Sequence, residues 1–431
     1  MSVRIGCVAD DFTGATDVAA ALAEAGLDTA LLLCGEAGSE QDDAEAVVVA
    51  LKIRSAPADE AVAGASYVAR NLLAAGCERI FFKYCSTFDS TDAGNIGPVS
   101  DALLDLTGAG TMIVCPAVPA YDRTIYQGHL FVGSSLLSDT PMRNHPLTPM
   151  TDSSLVRLLG RQTKARVGLV PLRTVRAGPQ SVRAALGAAH GAGCPFMVAD
   201  ALCDADLDII AAACLDSPLA SGAAGLAASI GRALAAPGGA GQRARPAPRV
   251  PGYAAIVSGS ASAQTRRQVE HFARHGATYV VDPAGEGTEG GLERAVSAAV
   301  GWAAPRLGQA PVLIAADTRP ERIAALQERL GVLQAGALVE TLLAEIAFAL
   351  VEMGVRKLLV AGGETSGAVA SRLGLRRLRV GPLIAPGVPW NFAPGPMAIG
   401  LKSGNFGPDD LFSRAFRQLG GETGGRDDAA G

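Results

Sequence analysis

The first half of the chain alternates short apolar runs with segments whose apolar positions recur at helical spacing. The helical spacing predicts helices over residues 16–25 and 60–75, and the runs predict strands. These strands cover residues 4–9, 28–34, 46–51, 79–84, 112–115 and 195–199. Continuous apolar runs are typical of parallel strands that are buried on both faces. We therefore expect a mostly parallel sheet with helices on its faces.

The second half repeats this pattern, and a segment without periodicity separates the halves. Strands are predicted over residues 253–257, 278–281, 312–316 and 357–360, and helices over 263–275 and 338–353. Residues 236–252 are rich in Pro, Gly and Arg, as linkers are. The fold class predicted is α/β, with two α/β lobes that face each other across a cleft. The predicted divisions are residues 1–235, the linker or crossover 236–252, residues 253–419, and a disordered tail over 420–431.

Length, composition and charge limit the classes of protein to which the chain can belong. A chain of 431 residues suits two domains, and a net charge of −5 without a dense basic patch argues against nucleic-acid binding. The sequence shows neither a signal-peptide pattern nor an uncharged apolar run of about 18 residues, so we expect a cytoplasmic protein without membrane contact. Eight cysteines without a C-x-x-C pair predict buried free thiols. A homo-oligomer is compatible with this sequence.

Adjacent carboxylates follow the first predicted strand in the segment A-D-D-F-T-G-A-T-D. Asp10 and Asp11 stand at the strand end, and Asp17 lies in the predicted helix. Ligands of open α/β sheets bind at the carboxyl ends of strands. Carboxylates there can bind sugar hydroxyls, take a proton or hold a magnesium ion. One of them could simply cap the helix, but three acids exceed what a cap needs.

Basic and polar residues follow later strands of the same half. Lys83 lies at a predicted strand end, where it can meet a substrate carboxylate. Arg143, Asn144 and His145 form a polar group in M-R-N-H-P-L-T-P-M-T-D. Arginine binds carboxylates in a bidentate manner, whereas His145 is equally compatible with a loop histidine bonded to backbone. These four residues are the candidate substrate-binding residues.

Three turns of small residues distinguish the second half: V-S-G-S, V-A-G-G-E-T-S-G and L-K-S-G-N-F-G. The first two follow predicted strands and precede helices, which exposes backbone N–H groups to a phosphate. They match neither the P-loop nor G-x-G-x-x-G. In the third, a late loop, Lys402 could close over phosphates. Three such turns in one small domain indicate a nucleotide site.

Together, five strings resemble the four-carbon acid sugar kinases: A-D-D-F-T-G-A-T-D, M-R-N-H-P-L-T-P-M, V-S-G-S, A-G-G-E-T-S-G and L-K-S-G-N-F-G. The resemblance extends from residue 5 to about residue 412, and the order of the strings makes it specific. It implies an N-terminal sugar-acid-binding domain and a C-terminal nucleotide-binding domain that uses ATP. It also carries the family's nucleotide site onto Ser258, Gly362, Gly363, Glu364, Thr365 and Gly404.

The resemblance implies phosphorylation of the terminal hydroxyl of 3-dehydro-erythronate. For such a kinase we expect Mg²⁺ to bridge the ATP phosphates. For that reaction, one carboxylate among Asp10, Asp11 and Asp17 orients or deprotonates the hydroxyl, and Lys83 and Arg143 hold the substrate carboxylate. Which acid is the base, and which residues bind the metal, are left open. The alternatives are a threonate or erythronate kinase, a two-lobe sugar-acid sensor without catalysis, and an oxidoreductase, which the missing G-x-G-x-x-G disfavours.

Overall fold

The computed structural model describes residues 3–33, 43–145, 148–235, 248–283 and 290–419. The chain divides into two compact units, residues 1–244 and 245–431, and each is α/β as predicted. Most of the predicted linker, residues 236–247, lies outside the described residues. So does the predicted tail over 420–431.

The first unit contains a parallel sheet and a small antiparallel sheet, whose strands are given next. They are β1 Ile5–Ala9, β2 Thr29–Leu32, β3 Ala46–Ala50, β4 Ile80–Lys83, β5 Met112–Cys115, β6 Arg123–Tyr126, β7 His129–Val132, β8 Ser135–Leu136, β9 Val167–Val170, β10 Phe196–Ala199 and β11 Leu219–Gly222. The sheet runs β2-β3-β1-β4-β11-β5-β10-β9, and β6, β7 and β8 form a small antiparallel sheet. Strands β1, β3 and β4 are buried along their whole length, which explains their continuous apolar sequences.

The helices of the first unit connect these strands. They are α1 Phe12–Glu24, α2 Ala58–Ala74, α3 Ile96–Thr107, α4 Leu155–Gln162, α5 Leu172–Arg176, α6 Pro179–Gly191, α7 Asp204–Cys214 and α8 Ala224–Leu234. Helix α1 starts at Phe12, four residues before the predicted start, because the Asp11 carboxylate caps it by accepting from the Gly14 N–H. Its small buried residues pack against α8, β2 and β3.

The second unit contains a mixed sheet. Its strands are β12 Tyr253–Ser258, β13 Ala277–Val281, β14 Val312–Ala316, β15 Val355–Ala361, β16 Arg377–Ala385, β17 Val388–Ala393 and β18 Met397–Lys402. The order is β13-β14-β12-β15-β18-β17-β16; the pairs from β13 to β18 are parallel, and β17 is antiparallel to both of its neighbours. The predicted late loop at residues 401–407 therefore begins inside β18.

The second unit has a buried apolar core that includes Trp390, and its helices are given next. They are α9 Ala263–Ala273, α10 Gly291–Ala303, α11 Pro320–Leu330, α12 Val332–Glu352, α13 Gly363–Arg372 and α14 Leu411–Arg414. By length and composition alone, α12 could cross a membrane, with a mean hydropathy of 1.6 over an 18-residue window. Core helices of soluble proteins meet the same criterion, and α12 packs against α10, α11 and α13.

The cysteines follow the prediction in part. In the described part of the chain all of them are free thiols, and Cys7, Cys77, Cys115, Cys194 and Cys214 are buried. The remaining described thiols depart from the prediction of burial: Cys85 is partly exposed and Cys203 is exposed. Cys203 occupies the N-cap position of α7. Cys34 lies outside the described residues.

Candidate functional site

The carboxyl ends of three neighbouring strands bring charged residues together in the first unit. Asp10 directly follows β1, Lys83 ends β4, and Arg54 follows β3. The backbone ties them closely, because the Asp10 N–H donates to the Lys83 carbonyl at 3.0 Å and the Arg54 N–H donates to the Asp10 carbonyl at 3.1 Å. We call Asp10, Asp11, Asp17, Arg54 and Lys83 the acidic cluster. The sequence-predicted acids and Lys83 thus occur together.

Arg54 binds two adjacent carboxylates at once. Its Nε and Nη2 donate to the two oxygens of Asp10 at 2.8 and 2.9 Å, and its Nη1 lies 2.8 Å from Asp11 Oδ2. Asp10 is 3% exposed, so its charge requires a close partner. The two carboxylates raise the pKa of Arg54, although burial opposes this. Arg54 therefore compensates the charge of the pair.

Asp11 has a second partner on its other side. Its Oδ1 accepts from the Gly14 N–H at 2.6 Å, which makes it the N-cap of α1. Burial and the charge of Asp10 raise its pKa, while Arg54, Lys83 and the Gly14 N–H act in the opposite direction. The capping interpretation of this motif is correct for Asp11, and it coexists with the ion pair.

Lys83 is buried beside the first turn of α1. It is 3% exposed, and its Nζ donates to the Tyr84 carbonyl at 3.0 Å. A Cβ added to Gly14 would stand 2.9 Å from this ammonium, so Gly14 leaves the space that Lys83 occupies. Asp17 lies one turn further along α1. Burial raises the pKa of Asp17, and the charge of Lys83 opposes that rise.

Sequence reasoning missed Arg54. It stands four residues beyond the end of β3, and β3 is the strand next to β1 in the sheet. The rule that ligand-binding residues follow the carboxyl ends of strands applies to L-K-I-R as it does to A-D-D. The sequence therefore contained a signal for Arg54. It did not show that β3 lies beside β1, which follows from the order of the strands in the sheet.

The predicted substrate residues Arg143, Asn144 and His145 lie on or next to a short 3₁₀ helix, Pro141–Asn144. Arg143 and Asn144 are exposed. The Arg143 guanidinium donates to the Ser138 carbonyl at 3.4 Å, and His145 Nδ1 accepts from the Thr148 N–H at 3.1 Å. Both partners are close in sequence. The role of these three residues in substrate binding stays a prediction.

In the second unit, the three turns of small residues meet at neighbouring strand ends. Strands β12, β15 and β18 end at Ser258, Ala361 and Lys402. The Gly259 N–H donates to the Ala361 carbonyl at 3.0 Å, and the Gly362 N–H donates to the Lys402 carbonyl at 2.8 Å. We call these segments, residues 258–260, 362–365 and 402–404, the glycine turns.

The glycines of these turns are required by close packing. A Cβ on Gly404 would lie 2.6 Å from Ser260 Oγ, and a Cβ on Gly362 would lie 3.0 Å from Thr365 Oγ1. Gly362 also has a φ of 125°, which favours glycine. It occupies the N-cap position of α13, where it has no side chain to bond the first N–H groups. Thr365 is buried in this first turn and Glu364 is exposed. The N-terminus of α13 can therefore receive a phosphate.

Lys402 does not project over this surface, contrary to the prediction. It is fully buried, and its Nζ donates at 2.8 Å to Thr265 Oγ1 and to the carbonyls of Ser403 and Gly404. The Gly404 carbonyl also accepts from Ser262 Oγ at 2.6 Å and from Thr265 Oγ1 at 2.7 Å. Burial lowers the pKa of Lys402 to about 7. Its ammonium turns inward because these buried acceptors need donors, and it thereby fixes the Gly404 turn against α9.

Neither the acidic cluster nor the glycine turns form a group of metal ligands in the described part of the chain. Among the described residues, no group of three or more His, Cys, Asp or Glu side chains could hold a metal ion.

Comparison with known proteins assigns both halves of the chain. Residues 5–230 match the family model of a sugar-binding N-terminal domain, and residues 255–412 match that of a nucleotide-binding C-terminal domain. A 3-oxo-tetronate kinase of Burkholderia multivorans is 47% identical over 421 residues, with 97% of each chain covered. One of Salmonella typhimurium is 40% identical over 418 residues, covering 97% of this chain and 99% of its own.

Solved structures agree with this assignment. A crystal structure from Salmonella typhimurium LT2 matches with a TM-score of 0.89 and 39% identity, covering 96% of this chain and 99% of that one. A Haemophilus influenzae protein matches with a TM-score of 0.81 and 37% identity, covering 96% and 100%. The predicted resemblance is thus confirmed by matches over nearly the full length. The chain belongs to the four-carbon acid sugar kinase family, and the two curated relatives described above are 3-oxo-tetronate kinases.

Proposed function

We propose that this protein is a kinase that transfers the γ-phosphoryl group of ATP to the terminal (O4) hydroxyl of 3-dehydro-erythronate, the 3-oxo-tetronate of its relatives' names. The observation that carries the proposal is identity of 40–47% to such kinases over 97% of the chain. The products are ADP and 3-dehydro-4-phospho-erythronate. Because the reaction consumes ATP, we place it in the cytoplasm.

The glycine turns support ATP binding in the second unit. Kinases act chiefly by positioning the phosphates and neutralising their charge. Backbone N–H groups at residues 362–365 and the Ser258 turn suit the phosphates, because the N-terminus of α13 favours negative charge and its glycines allow close approach. Lys402 would act indirectly, by holding the Gly404 turn in place.

Mg²⁺ is part of this proposal. The ion usually keeps several waters and is bound through one or two carboxylates together with the substrate's phosphates. Glu364, exposed in the first turn of α13, is the acidic side chain of the glycine turns and would hold the ion there. When bound, Mg²⁺ would neutralise charge on the transferred phosphoryl group.

The acidic cluster supports sugar-acid binding in the first unit. Carboxylates accept hydrogen bonds from sugar hydroxyls, and the Lys83 ammonium can pair with the carboxylate of the acid. Arg54 is already engaged by Asp10 and Asp11, so it would hold these two side chains in place rather than bind substrate. Arg143, Asn144 and His145 remain candidates for additional substrate contacts.

A coupled assay of ADP release tests the proposal. The acceptors are 3-dehydro-erythronate, D-erythronate, D-threonate and L-threonate, and a reaction without acceptor measures background hydrolysis of ATP. We expect the highest kcat/KM with 3-dehydro-erythronate, and phosphorus NMR of the product should place the phosphate on O4.

The same assay separates the alternatives. A higher kcat/KM with threonate or erythronate would make the protein a kinase of those acids. Binding of the acids without any ADP release, and without a change in melting temperature on addition of ATP, would indicate a sugar-acid sensor instead.

A further inference from the structure

The three carboxylates of the acidic cluster differ in how far their oxygens are already bonded. Both oxygens of Asp10 accept from Arg54, at 2.8 and 2.9 Å. Asp11 accepts from the Gly14 N–H through Oδ1, and its Oδ2 lies 2.8 Å from Arg54 Nη1. An acid held in this way is a poor proton acceptor, because protonation would break a charge-assisted hydrogen bond. Geometry therefore disfavours Asp10 and Asp11 as the base.

Asp17 is different. Within the described part of the chain, no donor hydrogen-bonds to its carboxylate, and the residue is partly exposed whereas Asp10 is buried. It lies three residues after Gly14 on α1, and residues at this spacing are neighbours on a helix surface. Gly14 in turn adjoins the Lys83 ammonium. Asp17 is thus an unbonded carboxylate that feels the charge of Lys83, the cation that suits the substrate.

The charges around Asp17 suit a proton acceptor. Lys83 faces it from β4, Glu24 from the same helix, and Tyr121 from the 3₁₀ helix Pro119–Tyr121 that follows β5. Burial raises the pKa of Asp17 above the ordinary aspartate range, and Lys83 limits the rise. Burial together with the charges of Asp17 and Glu24 raises the pKa of Tyr121 to about 12, so the phenol stays neutral. The carboxylate is a stronger base than a solvated aspartate.

We propose that Asp17 accepts the proton of the hydroxyl that is phosphorylated; this assignment rests on the proposed kinase function. The hydroxyl oxygen forms a bond to the γ-phosphorus, and the bond between that phosphorus and the β,γ-bridging oxygen breaks. ADP leaves with the electron pair, and the hydroxyl proton moves to the Asp17 carboxylate and then to solvent. Arg54 keeps the carboxylate oxygens of Asp10 and Asp11 occupied.

The test compares Asp17→Asn with Asp11→Asn, and uses Asp59→Asn as the matched control. Asp59 is an exposed aspartate in the first turn of α2, and its variant should keep the wild-type kcat. Asp17→Asn should lower kcat by about 10²–10⁴-fold, the usual contribution of a general base, with a much smaller change in KM for the sugar acid. Melting temperature monitors folding, and Asp17→Asn should melt close to the wild type because the described part of the chain donates no hydrogen bond to the Asp17 carboxylate.

The pH profile gives a readout that a structural role would not move. Wild-type kcat should fall as the pH decreases through the raised pKa of Asp17, because the protonated acid cannot act as a base. The residual activity of Asp17→Asn should lack this acidic limb, and Asp11→Asn should retain it. Asp17→Glu keeps a carboxylate and should also keep the limb, which supplies a second measurement if Asp17→Asn does not fold.

Specific results would overturn the assignment. One is a kcat for Asp17→Asn within about twofold of the wild type on an active acceptor. Another is an acidic limb that persists in Asp17→Asn and disappears in Asp11→Asn. Failure of the proposed function has a different signature: the wild type itself would transfer no phosphate from ATP to any acid in the panel, and both proposals would then fall.

Discussion

Substitution of Gly14 by alanine provides a test in which local and tertiary reasoning predict opposite signs. Gly14 lies in the first turn of α1, and replacing a helical glycine by alanine ordinarily stabilises by about 0.5–1 kcal/mol. In this structure the added Cβ would stand 2.5 Å from Asp11 Oδ1 and 2.9 Å from Lys83 Nζ. Both distances are shorter than a real Cβ contact, so one or both side chains must move.

Moving either the Asp11 or the Lys83 side chain reduces the stability of the protein. Asp11 is held by the Gly14 N–H and by Arg54, and Lys83 is buried and bonded to the Tyr84 carbonyl. Loss of an aspartate N-cap costs about 0.5–2 kcal/mol, and a loosened ion pair with Arg54 adds to it. After the alanine gain is subtracted, we expect Gly14→Ala to destabilise the first unit by about 1–2 kcal/mol.

Thermal unfolding followed by calorimetry measures this effect. A change of 1 kcal/mol shifts the melting temperature of a unit of this size by about 2–4 °C, so Gly14→Ala should lower it by about 2–8 °C. Gly64→Ala is the matched control: Gly64 lies inside α2, and its Cβ would meet Ile53 at an ordinary 3.7 Å. That variant should melt slightly higher than the wild type. A rise in melting temperature for Gly14→Ala similar to that of Gly64→Ala would refute the reasoning.

Three further predictions address the two sites. Arg54→Met leaves two adjacent carboxylates without their cation and should destabilise the protein by about 2–4 kcal/mol in urea unfolding at pH 7. The deficit should shrink as the pH falls and Asp11 is protonated, because the pKa of this acid is raised and Arg54 opposes that rise. A deficit independent of pH would contradict the charge argument. Gly259→Ala places its Cβ against Thr365 Oγ1 and 2.7 Å from Leu343, so the ATP-induced rise in melting temperature should decrease. Gly301→Ala in α10, where a Cβ meets open space, should leave that rise unchanged. Burial lowers the pKa of Lys402 to about 7, so the unfolded chain binds its proton more strongly than the native protein between pH 7 and about 10. Stability measured by urea unfolding should therefore rise over this interval in the wild type relative to Lys402→Met, and parallel curves for the two proteins would contradict the buried position of this ammonium.

The amino-acid sequence by itself determined several of the elements and the chemistry placed at their ends. Continuous apolar runs identified strands such as β1 and β3, because burial on both faces of a parallel sheet leaves no polar alternation. The acids at Asp10 and Asp11 and the glycines at Gly362 and Gly363 stood out because they directly follow such runs. The order of these strings along the chain was sufficient to indicate the family.

Only the tertiary structure decided which of these groups bond to one another. Arg54 lies 44 residues from Asp10, and the two meet because β3 is the neighbour of β1 in the sheet. The same holds for Lys402, which donates to Thr265 across 137 residues and so turns away from the surface that the sequence suggested. Strand order and side-chain partners depend on long-range packing, which local periodicity does not encode. For this reason the sequence could name three candidate acids, whereas the hydrogen bonds of Arg54 and Gly14 distinguished Asp17 from the other two.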